Sequence, residues 1–422
     1  MLHFRLVNFS SVLIYLLPLA LLTGPFFPDL IISIVAIIFI FISFKYKKKK
    51  FFQNNFFYIF IIIYIYLIIS SIFSSYALFS LKTSLVYIRH GIFAIAIWHL
   101  IDENKNFLKI FRNILILTFL VCIIDTYFQY IYNKGMFGFS AENPSRMVLL
   151  FNDRQMLGQY LARLMPLAAA MILFDKKINI NKYLLIGLLF ILTFISVYLS
   201  GERTAFVLLF ISTLFIIFFS SNYKYIRILS LIFSIILIIL ITFFSPKVKE
   251  RMFDHTIKQL TLNSNIQLQD GVNMSISNKF NFFSRSHETL FFTALRIFED
   301  NLILGSGPNT YKKLCNNSEY FMNRYSCSTH PHNTFIQILS ETGILGMMLF
   351  ILIICLFSKK IYNHIMKKNR LNDYQICLIS CFLVSVWPFL PSQDVFNNWI
   401  SIVYYLPIGF FLHSIYTKKL VR

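Results

Sequence analysis

The sequence predicts an all-α polytopic membrane protein of about twelve transmembrane helices, with one large extracytoplasmic loop between the ninth and tenth. Three observations predict it. Hydrophobic residues make up 57% of the 422 and only 14% are charged; no single soluble core hides that much apolar surface, so lipid must solvate much of it. Apolar runs long enough to cross about 30 Å of hydrocarbon recur along the whole chain. Lysine and arginine gather in short loops between those runs, the distribution that orients a membrane protein.

The runs, in order, are Phe9–Thr23, Leu30–Phe44, Phe56–Phe73, Leu81–Ile101, Phe107–Tyr130, Leu157–Phe174, Tyr183–Ser200, Thr204–Ser220, Ile228–Phe244, Gly343–Phe357, Tyr374–Leu390 and Trp399–Ile415. The tenth is expected to begin earlier, near Asn333. Phe9–Leu22 lacks an A-x-A cleavage site and is read as the first membrane helix, not a signal peptide. Basic clusters lie at Lys45–Lys50, Lys176 with Lys177 and Lys182, Lys224 with Arg227, Lys359–Arg370 and Lys418–Arg422. All fall on one side if there are twelve spans and the N-terminus is cytoplasmic, which predicts N-in, C-in. The chain then divides into helices 1–9 (1–244), a periplasmic loop (245–331) and helices 10–12 (332–422). The loop's apolar pieces, such as Leu290–Phe298, are expected to be short amphipathic helices lying back on the bundle.

A net charge of +21 would suit nucleic acid, but its placement in short loops argues for membrane lipid as the partner and against nucleic acid. Cys122, Cys355, Cys377 and Cys381 fall in apolar runs and read as small core residues. Cys315 and Cys327 lie in the polar loop, where an oxidising compartment permits a disulfide.

The charges that defy the positive-inside pattern carry the chemistry. Arg146, Arg154, Arg203, Arg285, Arg296 and Arg324 are all placed at or above the outer surface. A lone loop arginine is more often a solvated charge. Arg203, however, sits in a turn of a few residues between two spans, where a fixed fork of donors at a helix N-terminus matches an anion such as phosphate. A second group is His330, Pro331, His332 and Asn333, followed by an apolar helix bearing Glu341, Gly343 and Gly346. His332, at the mouth of that helix, is placed to take a proton from a hydroxyl, or else is an interfacial histidine bonded to backbone. A continuous helix from His332 would put Gly343 about three turns on and on nearly the same face, with Glu341 near the opposite one. The two glycines read as a close-packing surface and Glu341 as a buried, hydrogen-bonded carboxylate. The outer face offers no D-x-D motif and no histidine–carboxylate cluster at ligand spacing, so no metal and no cofactor is expected.

His332-Asn333, nine residues, then Gly343-Ile-Leu-Gly346 resembles the HN-x9-GxxG signature of the O-antigen ligase family and related oligosaccharyltransferases. Three upstream stretches resemble the same family in the same order: 151–163 (FNDRQMLGQYLAR), 200–206 (SGERTAF) and 305–311 (GSGPNTY). The resemblance spans roughly 146–348. It implies a metal-independent glycosyltransferase of GT-C-like architecture, transferring a glycan from undecaprenyl pyrophosphate to a sugar hydroxyl of lipid A–core. By that resemblance Arg203 binds the donor pyrophosphate and His332 is the base or orients the acceptor. A second family arginine matches Arg285, with His287 and Arg296 as alternatives. Arg146, Arg154, His330, Asn333, Gly305 and Gly307 are expected to contact substrate, and Gly343, Gly346, Glu341, Cys315 and Cys327 to be structural. An O-antigen polymerase with the same donor is the nearest alternative. A lipid-linked-glycan transporter is disfavoured, since the candidate residues crowd one interface and no internal repeat is evident.

Overall fold

The computed structural model describes residues 1–138, 147–148, 156–175, 179–261, 265–267, 273–275 and 283–420. Arg146 and Arg154 lie outside the described residues, as do Lys176, Lys177 and Arg422 of the basic clusters. The described helices are α1 (Leu2–Ala20), α2 (Phe26–Lys45), α3 (Asn55–Ile72), α4 (Ala77–Glu103), α5 (Phe107–Tyr132), α6 (Leu157–Leu173), α7 (Ile180–Leu199), α8 (Arg203–Phe219), α9 (Lys224–Phe244), α10 (Pro246–Lys249), α11 (His255–Thr261), α12 (Arg285–Glu299), α13 (Tyr311–Leu314), α14 (Thr334–Ile365), α15 (Asp373–Ser385) and α16 (Asn398–Leu420). A π-helical segment, Glu250–Asp254, joins α10 to α11. Two three-residue strands, β1 (Asn265–Gln267) and β2 (Asn273–Ser275), pair antiparallel.

Among the described residues nine helices (α1–α5, α7, α9, α14 and α16) are long and apolar enough to cross a membrane, while α6, α8 and α15 are apolar but shorter. The protein is therefore a polytopic, predominantly helical membrane protein. The eleventh expected span, Tyr374–Leu390, is cut short: α15 ends at Ser385, because Pro388 disfavours helix at the residue before it and cannot donate within one. Side-chain caps fix several starts. Asn54, Asn179 and Asn333 each accept from backbone amides at the heads of α3, α7 and α14, and Asn372 with Gln375 makes a capping box on α15.

Contacts at the helix ends sort the bundle into two faces. At one, Lys48 meets Glu103, His413 faces Asp102, and Asp373 accepts from Tyr183 and the Ser221 amide; both ends of the described chain come here. At the other, Trp399 donates to the Leu21 carbonyl, Ser70 to that of Leu304, and Glu202 accepts from the Gly158 amide. Between them α6 is buried from Leu157 to Ile172 and packs against α5, α7, α8 and α15; its alanines at 162 and 168–170 let those neighbours come close. The outer helices turn Ile62, Ile65, Phe233, Ile236 and Ile239 outward, an apolar surface suited to hydrocarbon rather than water.

The amphipathic helix α12 lies against α14, burying Leu290, Ala294 and Ile297 in a small separate core with Tyr311, Leu314, Cys315 and Tyr320. Tyr311 Oη donates to the carbonyls of Leu290 and Ser326. Cys315 and Cys327 are disulfide-bonded across 12 residues. Replacing both by serine is expected to cost about 3 kcal/mol, through the loop entropy restored to the unfolded chain. The melting temperature should fall to that of reduced wild type; an unchanged value would count against the bridge.

Candidate active site

The loop reaches the bundle through an interlock of backbones. Helix α14 is broken at Gly343, where φ is 64°. The break strands the carbonyls of Ser340 and Glu341 and the amides of Ile344 and Leu345, which would otherwise pair within the helix. Residues 302–307 supply all four partners. Ser306 N donates to Ser340 O (3.0 Å) and Gly307 N to Glu341 O (2.9 Å); Ile344 N donates to Leu302 O (2.9 Å) and Leu345 N to Ile303 O (3.4 Å). Gly305 (φ 72°) and Gly343 sit back to back. A Cβ on Gly305 would stand 2.3 Å from Thr342 N, and one on Gly343 2.3 Å from Ile303 O.

This corrects the continuous helix expected from His332. His332 precedes α14 in a left-handed conformation (φ 58°), and Gly343 turns the chain instead of continuing a face. Gly305 and Gly307, expected to contact substrate, are pressed against protein: Gly307 abuts the side chains of Ser74 and Ser80. Gly346 lies under Thr342 and the Tyr66 ring of α3. Glu341 is buried and accepts from Tyr311 N (2.9 Å) and Gln337 Nε2 (3.1 Å), so its carboxylate anchors the loop to the helix.

Just above the break, three imidazoles converge. The His330 and His332 rings are 4.1 Å apart between centroids, and His287 of α12 approaches His332 edge-on at 5.6 Å. Residues 386–397, between α15 and α16, form a cradle beneath them. His330 Nε2 donates to Ser392 O (3.0 Å), Ser392 N to His332 O (2.8 Å), and Asn333 Nδ2 to Pro388 O (2.8 Å). Thr334 donates to the Ser392 hydroxyl, and Gln337 bridges Asp394 Oδ1 (2.6 Å) and Val395 N (3.0 Å). Asn333 thus serves the backbone, as helix cap and cradle tie. The φ strain at His332 costs on the order of 1–3 kcal/mol and persists because both neighbours of its peptide are held.

Burial lowers all three imidazoles to about 4. That value already includes lowering by His330 at His332, by His287 at His330, and by His332 and Arg203 at His287, with the Ser392 carbonyl opposing it at His330 and His332. All three are therefore neutral at pH 7, and a neutral ring can accept a proton. Their nitrogens are committed to separate partners: His332 Nε2 lies 3.1 Å from Ser328 Oγ, His287 Nδ1 lies 2.6 Å from Ser284 Oγ, and His330 uses Ser392 and Thr329. That arrangement suits proton handling better than shared ligation of an ion.

Arg203 is the first residue of α8, after a turn at Gly201 (φ 73°). Its Nη1 donates to Thr256 Oγ1 (2.8 Å), and its positive charge adds to the lowering of His287. Arg251 Nε donates to Gly201 O (3.3 Å), adding a second guanidinium at the turn. Glu202 reaches the other way, accepting from Gly158 N (2.7 Å) and Gln159 N (3.2 Å), a carboxylate at the positive end of α6. Of the three alternatives on α12, His287 points to His332, while Arg285 is exposed at the helix start and Arg296 lies on its last turn.

Sequence reading missed the cradle, Arg251 and the role of Glu202. The Pro388–Pro391 pair and the polar run to Asp394 were the available signal for the cradle. Arg163, in the 151–163 stretch, is 2% exposed; its Nε donates to Gln159, its Nη1 has no hydrogen-bond partner and its guanidinium lies 6.0 Å from the Tyr404 ring.

A family model described as O-antigen ligase matches residues 188–351, from within α7 to within α14. The match takes in the Arg203 turn, the Gly305–Gly307 stretch and the His332–Gly346 signature; the 151–163 stretch precedes it. No curated protein matches the chain.

Proposed function

We propose that this chain, which belongs to the O-antigen ligase family through residues 188–351, transfers a glycan from undecaprenyl pyrophosphate to a sugar hydroxyl of lipid A–core. The family implies a glycosyltransferase-type activity, a lipid-linked donor and a multi-pass bacterial membrane protein. The observation that carries the finer reading is the neutral His332, gathered with His287 at the end of the bundle where Arg203 sits. In this reading His332 takes the proton of the acceptor hydroxyl as its oxygen attacks the anomeric carbon. The bond from that carbon to the pyrophosphate oxygen breaks, and undecaprenyl pyrophosphate leaves with the electron pair. Arg203, aided by Arg251, offsets the negative charge that builds on the departing phosphate. Guanidinium groups take the place of a divalent cation, and each such contact is worth about 1.5–3 kcal/mol.

Twelve spans with both termini cytoplasmic would put this end of the bundle in the periplasm of the inner membrane; the basic loops on the opposite face support that orientation. The test uses two hosts, one lacking its ligase and one lacking its polymerase, each given wild type or His332→Ala. Wild type is expected to restore capped lipid A–core ladders in the first host, and the variant to fail. Rescue of chain length only, in the polymerase-deficient host, would instead make the chain an O-antigen polymerase.

A further inference from the structure

At the opposite face of the bundle, three side chains that the transfer site does not use come together. His3 lies on the first turn of α1, and His99 and Glu103 lie one turn apart at the end of α4. One ligand atom from each falls within 4.8 Å of the other two. The i, i+4 spacing of His99 and Glu103 puts both on one helix face, with Nδ1 of His99 3.8 Å from Glu103 Oε1. The His3 and His99 rings are 6.0 Å apart.

A second, independent observation points to a ligand. His99 is 1% exposed and boxed by the rings of Phe39 and Phe51, yet both its nitrogens lack a hydrogen-bond partner, as does the buried Nε2 of His3. Buried polar atoms are nearly always satisfied, and an unsatisfied pair in an aromatic box needs an explanation. Each neutral imidazole has one lone-pair nitrogen, which a cation would take up, while the other ring nitrogen keeps its N–H.

We propose that His3, His99 and Glu103 bind a divalent transition ion of the zinc type, which clasps the start of α1 to the end of α4. Two imidazoles and a carboxylate, with no thiolate, are the donor set such an ion takes. Ligand bonds of about 2.0–2.2 Å require the three donor atoms to close by an ångström or so. A fourth position stays open to water. Lys48, whose ammonium holds Glu103 Oε1 at 2.7 Å, competes with the ion and must swing aside for it to bind.

The test is metal analysis and melting of the full chain in detergent, carrying a C-terminal tag free of histidine, after chelation and readdition of Zn²⁺. Wild type is expected to retain one zinc per chain and to melt higher with it. His3→Ala, a partly exposed residue on the first turn of α1, should lose both, as should His99→Ala and Glu103→Gln. His413→Ala, a neighbour outside the set, should keep both, and Lys48→Met should bind zinc several-fold more tightly. Absence of stoichiometric zinc from wild type, its retention by His3→Ala or His99→Ala, its loss from His413→Ala, or unaltered affinity in Lys48→Met would each overturn the assignment.

Discussion

His332→Ala is expected to lower glycan transfer by about 10²–10⁴-fold, the usual contribution of a positioned general base, while the purified chain melts close to wild type. The ring is half-buried and its polar contacts are a hydroxyl and the cradle, so its removal leaves no charge stranded. The pH profile separates proton transfer from mere positioning. A base must be deprotonated to act, and His332 is held at about 4. Transfer should therefore stay level from pH 8 down to about 5 and fall only as pH approaches 4. Stability follows a different course. The folded value lies below the ordinary 6.5, so the unfolded chain binds the proton first. The fold then weakens from about pH 6.5 to about 4 and loses nothing further on this account below that. Initial rates in proteoliposomes with a lipid-linked donor check the first curve, and melting scans the second. A rate that falls with a midpoint near 6.5 would mean an ordinary, solvated histidine, and His332→Gln with wild-type rates would exclude proton transfer altogether.

The helical membrane class was legible because its cause is compositional: lipid-facing residues such as Ile62, Phe233 and Ile239 need only be apolar, and capping asparagines mark helix starts locally. The candidate site was legible where one short segment carries it. His330, His332 and Asn333 are adjacent in sequence, and Arg203 is confined by the brevity of its turn. Pairings between distant segments were not. Ser392 lies 62 residues from His330 along the chain, and nothing at either position signals the other. Gly343 was read as a small residue for helix packing because sequence gives its size but not its φ. His3 and His99 belong to different helices, and their orphaned nitrogens are visible only once the helices are docked. Arg285 was preferred over His287 as the match to a family arginine; the two lie about 200° apart around α12, and the rotation of that helix turns His287 to His332.

The break at Gly343 yields the second large expectation. Gly343→Ala and Gly305→Ala should each destabilise the chain by about 2–5 kcal/mol, from left-handed backbone strain of roughly 1–2 kcal/mol plus overpacking of about 1–3 kcal/mol. The clash is with backbone on both sides, Ile303 O for one and Thr342 N for the other, so no side chain can rotate away. Gly24→Ala is the control: its φ is 101°, but a Cβ there meets nothing within 4 Å, leaving strain alone. Melting of the three variants in one detergent should place Gly24→Ala below wild type by the strain alone, about 1–2 kcal/mol, and the other two well below it. If Gly343→Ala melted with Gly24→Ala, the interlock of 302–307 with 340–345 would be wrong. Gly307→Ala should fall between, since Ser74 and Ser80 are side chains with some freedom to yield. Function should suffer along with stability. The same interlock carries the Glu341 carbonyl that Gly307 holds and the carboxylate that holds Tyr311, and Tyr311 anchors α12 through Leu290 O. Opening the break would release α12, and with it His287, from the imidazole cluster. A Gly343→Ala chain rescued by low temperature is therefore expected to transfer glycan more slowly than wild type at the same temperature.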